Sequence, residues 1–304
     1  MVVAITAVRI LLWSALFWVV QTRAHRKPRF SKNITYELGA PVITNQVDVY
    51  YIYYGNWTPS QKALVEDFTN GLGASSWWGI MTKYYYQATA SSVKIPIKGS
   101  VSLSGAVADP NYTLGRSLSG SALTNIIYSY TSTGRLPLNT QTGVYFVLTS
   151  SDVNVSHVDT AQGDTEVFCE DYCGFHNTAR LQSGDVINYG HTGDATHCPG
   201  NGCTPAMNLQ ASPNGDIGVD AAVSVIAHEL AEAVSNPDPM GSRAWQDMLS
   251  AENGDKCAFV FGETSTNANG ASYNMGWGQR KFLVQQNWDP EVQACVSGYD
   301  RNLR

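Results

Sequence analysis

Charge is what this sequence has least of. Of its 304 residues only 14% are Asp, Glu, Lys or Arg, against about 25% in an average soluble protein. Uncharged polar groups must therefore wet most of the surface. Lys and Arg do not cluster beside aromatic residues, and the formal net charge is −6. That excludes a surface built to neutralise nucleic-acid phosphates. Low charge combined with 11% aromatic residues also excludes a disordered chain, which needs the opposite balance. No unit of solenoid or propeller length repeats. The sequence contains no P-loop, no dinucleotide fingerprint and no G-x-S-x-G nucleophile elbow.

The N-terminus has the layout of a secretory signal. A short segment ending in Arg9 precedes an apolar core from Ile10 to Val20, and Thr22-Arg23-Ala24 offers a small-x-small cleavage site. The apolar core is too short for a membrane span. Cleavage after Ala24 removes Arg9 and Arg23 and no acids, which takes the charge from −6 to −8. Beyond it no stretch is long and apolar enough to span a bilayer.

Two further features agree with an extracellular address. Four Asn-x-Ser/Thr sequons begin at Asn33, Asn56, Asn111 and Asn154, each a candidate glycan acceptor. Six cysteines, an even count, read as three disulfides in an oxidising compartment. Adjacency favours Cys169–Cys173, Cys198–Cys203 and Cys257–Cys295. The competing arrangement is a four-thiolate zinc site from the first four, which oxidation disfavours.

Residues 25–45 open with a basic run and show no apolar period, so they read as an extended leader. Val47 to Tyr54 (VDVYYIYY) is rich in β-branched and aromatic residues and predicts a strand. Ser60 to Leu72 has helical spacing, residues 95–107 alternate as a strand, and Val144 to Thr149 reads as a buried strand. From Asp159 to Gly215 the chain is rich in Gly, Asn and Cys and reads as a long stapled loop. No linker divides residues 46–304. The expected fold is one α/β or α+β domain with a mixed sheet.

Candidate chemistry is concentrated in one helix, Asp220 to Val234, with Asp220 as N-cap and a stop at Ser235-Asn236-Pro237. His228 and Glu232 sit at i and i+4, so both project from one face. This is the spacing of the H-E-x-x-H zinc helix, with Glu229 in the place of the general base. Glutamate replaces the second imidazole, as zinc chemistry permits. Glu252, 20 residues beyond Glu232, is the candidate third ligand, at a gap similar to that of thermolysin-like zinc peptidases. Asp255 is placed to contribute to the site by orienting His228, since a ligating imidazole usually donates its other N–H. Zinc is the expected ion, and the carboxylates widen the choice to manganese or calcium. An Ala-rich helix with Glu and one His on its wet face is the structural alternative. His157, His176, His191 and His197 fall in expected loops, with His191 or His197 as a candidate extra ligand. The aromatics of Tyr50–Trp57 and Trp77–Tyr86 suit either core packing or stacking on sugars.

Several ordered segments carry a resemblance. Val47 to Trp57, Ser75-Ser-Trp-Trp78, Leu114-Gly-Arg-Ser-Leu118, Phe168 to His176 (FCEDYCGFH) and Pro213-Asn-Gly-Asp216 resemble the EXORDIUM, or phosphate-induced protein, family. The resemblance covers nearly the whole chain after the signal. It implies an extracellular or cell-wall protein linked to growth and signalling, without a family-wide reaction. Ala227 to Pro237 (AHELAEAVSNP) is similar to microbial relatives with a zincin-like helix. Two functional expectations follow. One is a secreted metallohydrolase acting on an extracellular peptide, with Glu229 as base. The other is a non-catalytic protein that binds a cell-wall glycan or a partner.

Overall fold

The computed structural model describes residues 33–158 and 163–299. The signal segment and the first part of the leader lie outside the described residues. The main elements, in chain order, are β1 (Val47–Tyr54), α1 (Pro59–Leu72), β2 (Val101–Asp109), α2 (Gly120–Ser132), β3 (Gly143–Thr149), β4 (Asn154–Val158), β5 (Thr165–Val167), β6 (Gly174–Arg180), β7 (Val186–Gly193) and α3 (Ile217–Ser235). Five of them form a sheet in the order β6-β7-β3-β1-β2. Strands β7, β3, β1 and β2 run parallel, and β6 is the antiparallel edge. The result is a mixed α+β domain.

Side-chain alternation along β1 divides the interior in two. Val47, Val49, Tyr51 and Tyr53 join one core with Phe68 of α1 and with Val223, Ile226 and Leu230 of α3. Tyr50, Ile52 and Tyr54 point the other way and pack on Leu123, Ile126 and Ile127 of α2. A period of two thus builds both layers, since neighbouring strand residues face opposite sides. The aromatics of β1 and the Trp77–Trp78 pair are buried in these cores, so packing, not sugar stacking, accounts for them.

Helix α1 starts where its cap chemistry dictates. Thr58 accepts from the Gln61 amide, and the Gln61 side chain returns a bond to the Thr58 amide, closing a capping box. Helix α3 begins three residues earlier than the sequence suggested. Asp216, not Asp220, caps it by accepting from Val219 N at 3.1 Å. Asp220 instead accepts from Asn214, through its backbone amide at 2.8 Å and its side-chain amide.

Three expectations need correction. Residues 33–45 are no free leader: Ile34, Ala40 and Ile43 are buried in the main core, and Thr35–Tyr36 pairs with Trp245–Gln246. The expected loop 159–215 contains two strands of the central sheet, β6 and β7. Glycines hid β7. A Cβ on Gly190 would sit 2.6 Å from the Phe146 ring of the neighbouring strand, so the residue must be Gly although the backbone is extended. The disulfides are Cys169–Cys198, Cys173–Cys203 and Cys257–Cys295. Only the last matches the adjacency pairing. The other two tie the turn before β6 to the short helical turns after β7, because the sheet brings those segments together. With every described cysteine paired, no thiolates remain for a Cys₄ zinc site. Separations of 29, 30 and 38 residues correspond to roughly 3–4 kcal/mol each in the chain-entropy account.

Gly190→Ala should lower stability by about 1–3 kcal/mol through overpacking against Phe146, whereas Ser183→Ala, on the exposed turn before β7, should change it by less than about 0.5 kcal/mol. Denaturant midpoints measure both, and equal midpoints would refute the close contact. Non-reducing peptide mapping should link Cys169 to Cys198 and Cys173 to Cys203.

Candidate metal centre

Helix α3 is buried on nearly every side, with all residues but Ile217 and His228 inaccessible. A helix in that position normally carries apolar residues all round. This one carries His228, Glu229 and Glu232 in its second half. Burying such groups costs several kcal/mol each unless they are partnered, so their surroundings must supply partners. Two segments do so: β6, which contributes His176, and the turn Glu252–Asp255.

Glu232 lies between two histidines. His228 Nε2 is 3.2 Å from Glu232 Oε1, and His176 Nε2 is 3.7 Å from Glu232 Oε2. His176 Nε2 is also 3.1 Å from Glu252 Oε2, whose other oxygen accepts from Asn236 Nδ2 at 2.8 Å. The Asp255 amide donates to Glu232 Oε1 at 2.9 Å, and the Glu252 amide donates to Asp255 Oδ2 at 3.1 Å. The four residues named from the helix spacing and the downstream acids therefore converge. Their order differs in one respect. Asp255 Oδ1 approaches the same His228 nitrogen as Glu232, at 3.6 Å, while Nδ1 donates to Gln285 Oε1 at 3.2 Å. Gln285 thus does the orienting work expected of Asp255.

His176 is the residue that sequence reasoning missed. Its only signal was a place at the end of the Phe168–His176 motif. The histidines favoured instead do not reach the cluster. His191 is fully buried against Thr149 Oγ1 at 3.1 Å, and burial, with His157 nearby, pushes its pKa down to about 3. His197 is exposed and sits 3.4 Å from the Ser151 carbonyl.

Glu229 stands apart from the other acids. It is 5% exposed, and its carboxylate has no hydrogen bond or ion pair among the described residues. It lies beside His228 and Glu232, with one oxygen within 4.8 Å of their ligand atoms. Burial raises its pKa to about 8, against the pull of His228. Burial likewise raises Glu252 to about 7. For His176 burial acts downward, but Glu252, Glu232 and Glu229 outweigh it and raise the ring to about 9. Titratable groups shifted this far, in a cleft, mark functional-site candidates.

The cluster forms the floor of a cavity of about 900 Å³, walled by Phe175, Val225, Phe259 and the Cys169–Cys173 turn. Gly254 closes over the His228 ring, where a Cβ would lie 2.7 Å from the imidazole. A second groove of about 910 Å³, beside Trp277, contains no such cluster.

The conserved region of phosphate-induced protein 1 matches residues 34–298, nearly all of the described chain. The chain belongs to the phosphate-induced protein 1 family. Among the relatives in this family, Protein EXORDIUM-like 3 of Arabidopsis thaliana is 32% identical over 90% of this chain and 86% of its own length. Protein EXORDIUM of the same plant is 28% identical, over 90% and 91%. Protein PHOSPHATE-INDUCED 1 of Nicotiana tabacum is 27% identical, over 86% and 87%. No solved structure matches the chain. Among the described residues of this family member, no helix is long and apolar enough to cross a membrane.

Glu252→Gln should lower the titration of His176 from about 9, because the amide removes its nearest negative charge. Ring-proton NMR across pH reads this directly, and an unmoved titration would break the proposed pairing.

Proposed function

We propose that this family member is a secreted metal-dependent hydrolase acting on peptide bonds. In this reading His228, Glu232 and Glu252, with His176 added from the geometry, hold a divalent cation, zinc in the first instance. Asp255 supplies a further oxygen beside His228, and Glu229 is the general base. The observation that carries the reading is Glu229: a buried carboxylate facing the cleft with no protein donor.

The donor atoms fall into two overlapping groups that share Glu232, His176–Glu232–Glu252 and His228–Glu229–Glu232, each with its ligand atoms within 4.8 Å of one another. Ligand atoms at about 2.0–2.1 Å around a tetrahedral centre lie about 3.3 Å apart. The His–carboxylate separations here are 3.1, 3.2 and 3.7 Å. His228 donates Nδ1–H to Gln285, so an ion would be met by Nε2, displacing the proton that, against the cost of burial, Glu232 and Glu229 hold on the ring. A bound divalent cation supplies Lewis-acid polarisation of a substrate carbonyl. Glu229, a carboxylate on the cleft with no protein donor, is placed to take the proton of the attacking water. Phe175, Val225 and Phe259 give the cleft an apolar wall that accepts a side chain and excludes water. The three disulfides are consistent with the secreted address.

A second reading is favoured by a separate observation. Glu232 and Glu252 each already accept from protein donors, as expected if His176, His228 and the acids form a structural network in a non-catalytic protein that binds a cell-wall glycan or a partner.

Purified protein should bind one equivalent of zinc, and His228→Ala should lose it, as read by elemental analysis. Glu229→Gln should keep the metal and lose peptide hydrolysis by at least a hundredfold. Full metal binding in His228→Ala would sink the centre. Full activity in Glu229→Gln would remove Glu229 as base. Metal without activity in either form would select the binding protein.

A further inference from the structure

Three of the four sequons follow three neighbouring parallel strands. Asn56 comes just after β1, Asn111 after β2 and Asn154 after β3. Parallel strands end on one side of a sheet, so all three lie at its carboxyl edge. Their loops are also bonded to one another. The Gly55 amide donates to Asp109 O at 3.0 Å, and the Asn56 amide donates to Ser150 Oγ at 3.0 Å. Tyr112 Oη donates to Asp152 Oδ2 at 2.8 Å. Arg116 pairs with Asp152 at 3.1 Å, and its guanidinium lies over the Tyr112 ring. The Asn154 amide donates to Arg116 O at 2.8 Å. Asn56, Asn111 and Asn154 therefore share one cross-linked patch.

The asparagines themselves are left out of that network. All three are exposed, and none of their side-chain amides makes a hydrogen bond among the described residues. Elsewhere in the fold Asn139, Asn214, Asn236 and Asn274 spend their side-chain amides on protein acceptors. Exposed asparagines outside the Asn-x-Ser/Thr sequons, such as Asn70 and Asn201, are free as well, so what sets these three apart is their common place on one edge.

We propose that Asn56, Asn111 and Asn154 carry N-linked glycans that together cover the carboxyl edge of the parallel sheet. The donor is an oligosaccharide on a polyprenyl diphosphate. Each Asn Nδ2 forms a bond to the anomeric carbon of the first sugar and gives up one proton. The anomeric carbon–oxygen bond breaks, and the polyprenyl diphosphate leaves with its electron pair. The glycans are bulky and solvated, so this edge is closed to protein contacts. In open α/β sheets the carboxyl edge is the usual place for a ligand. Here the accessible cleft lies beside α3 and the start of β6, next to the carboxyl end of β7, which none of the three sequons follows.

The test uses the full chain secreted from a eukaryotic host. Release of N-glycans by an amidase in heavy-oxygen water should convert all three asparagines to labelled aspartates, found by peptide mass spectrometry. Each of Asn56→Gln, Asn111→Gln and Asn154→Gln should remove the mass of one glycan and leave the melting temperature unchanged. Recovery of any of the three mainly as unmodified Asn would overturn the assignment. Coverage has its own measurement. Trypsin should cut after the exposed Arg116 at least tenfold faster once the glycans are removed. Equal cleavage rates on folded protein would overturn the covering of the edge.

Discussion

Three glutamates buried beside two histidines set the terms for this fold. A carboxylate moved out of water must find charge, donors or protonation, and Glu229, Glu232 and Glu252 are all under 10% exposed. The helix that carries two of them cannot be a surface helix, and it is not. It is enclosed by the sheet, by α1 and by the segment from Ala251 to Cys257. What surrounds α3 is therefore chosen for polarity at a few points as much as for apolar area.

The support for those points comes from far along the chain. Asn236, at the end of α3, holds one oxygen of Glu252 and donates nothing to solvent. Asn253 reaches back to Ser235 Oγ at 3.0 Å, which fixes the turn on which Glu252 and Asp255 sit. Gln285, held through its amide by Ser224 Oγ at 3.0 Å, turns the His228 ring. Cys257–Cys295 anchors the same turn to the C-terminal hairpin formed by Asn287–Asp289 and Ala294–Val296. The short two-stranded ribbons that follow α3 form a frame for one turn of polar residues.

Much of this was legible in the residues. Continuous runs of β-branched and aromatic residues marked β1 and β3 closely, because both faces of those strands are buried. The i, i+4 pair His228 and Glu232, and the later Glu252 and Asp255, could be read because helix geometry and a short connection constrain them. His176 could not. Its approach depends on β6 lying antiparallel beside β7, and β7 was disguised by glycines that Phe146 requires. The disulfides failed for a related reason: sequence neighbours such as Cys169 and Cys173 are separated in direction by the turn, whereas Cys198 and Cys203 are returned to them by the sheet.

The direction of synthesis gives the cluster an order of assembly. A ribosome releases α3 with Glu229 and Glu232 before it has made Glu252, Asp255 or Gln285, and Cys295 comes last of the groups that hold that turn. When α3 emerges, His176 of β6 is already made and can meet Glu232, whereas the cover that Asp255 and Gln285 give this flank arrives only with the last fifth of the sequence.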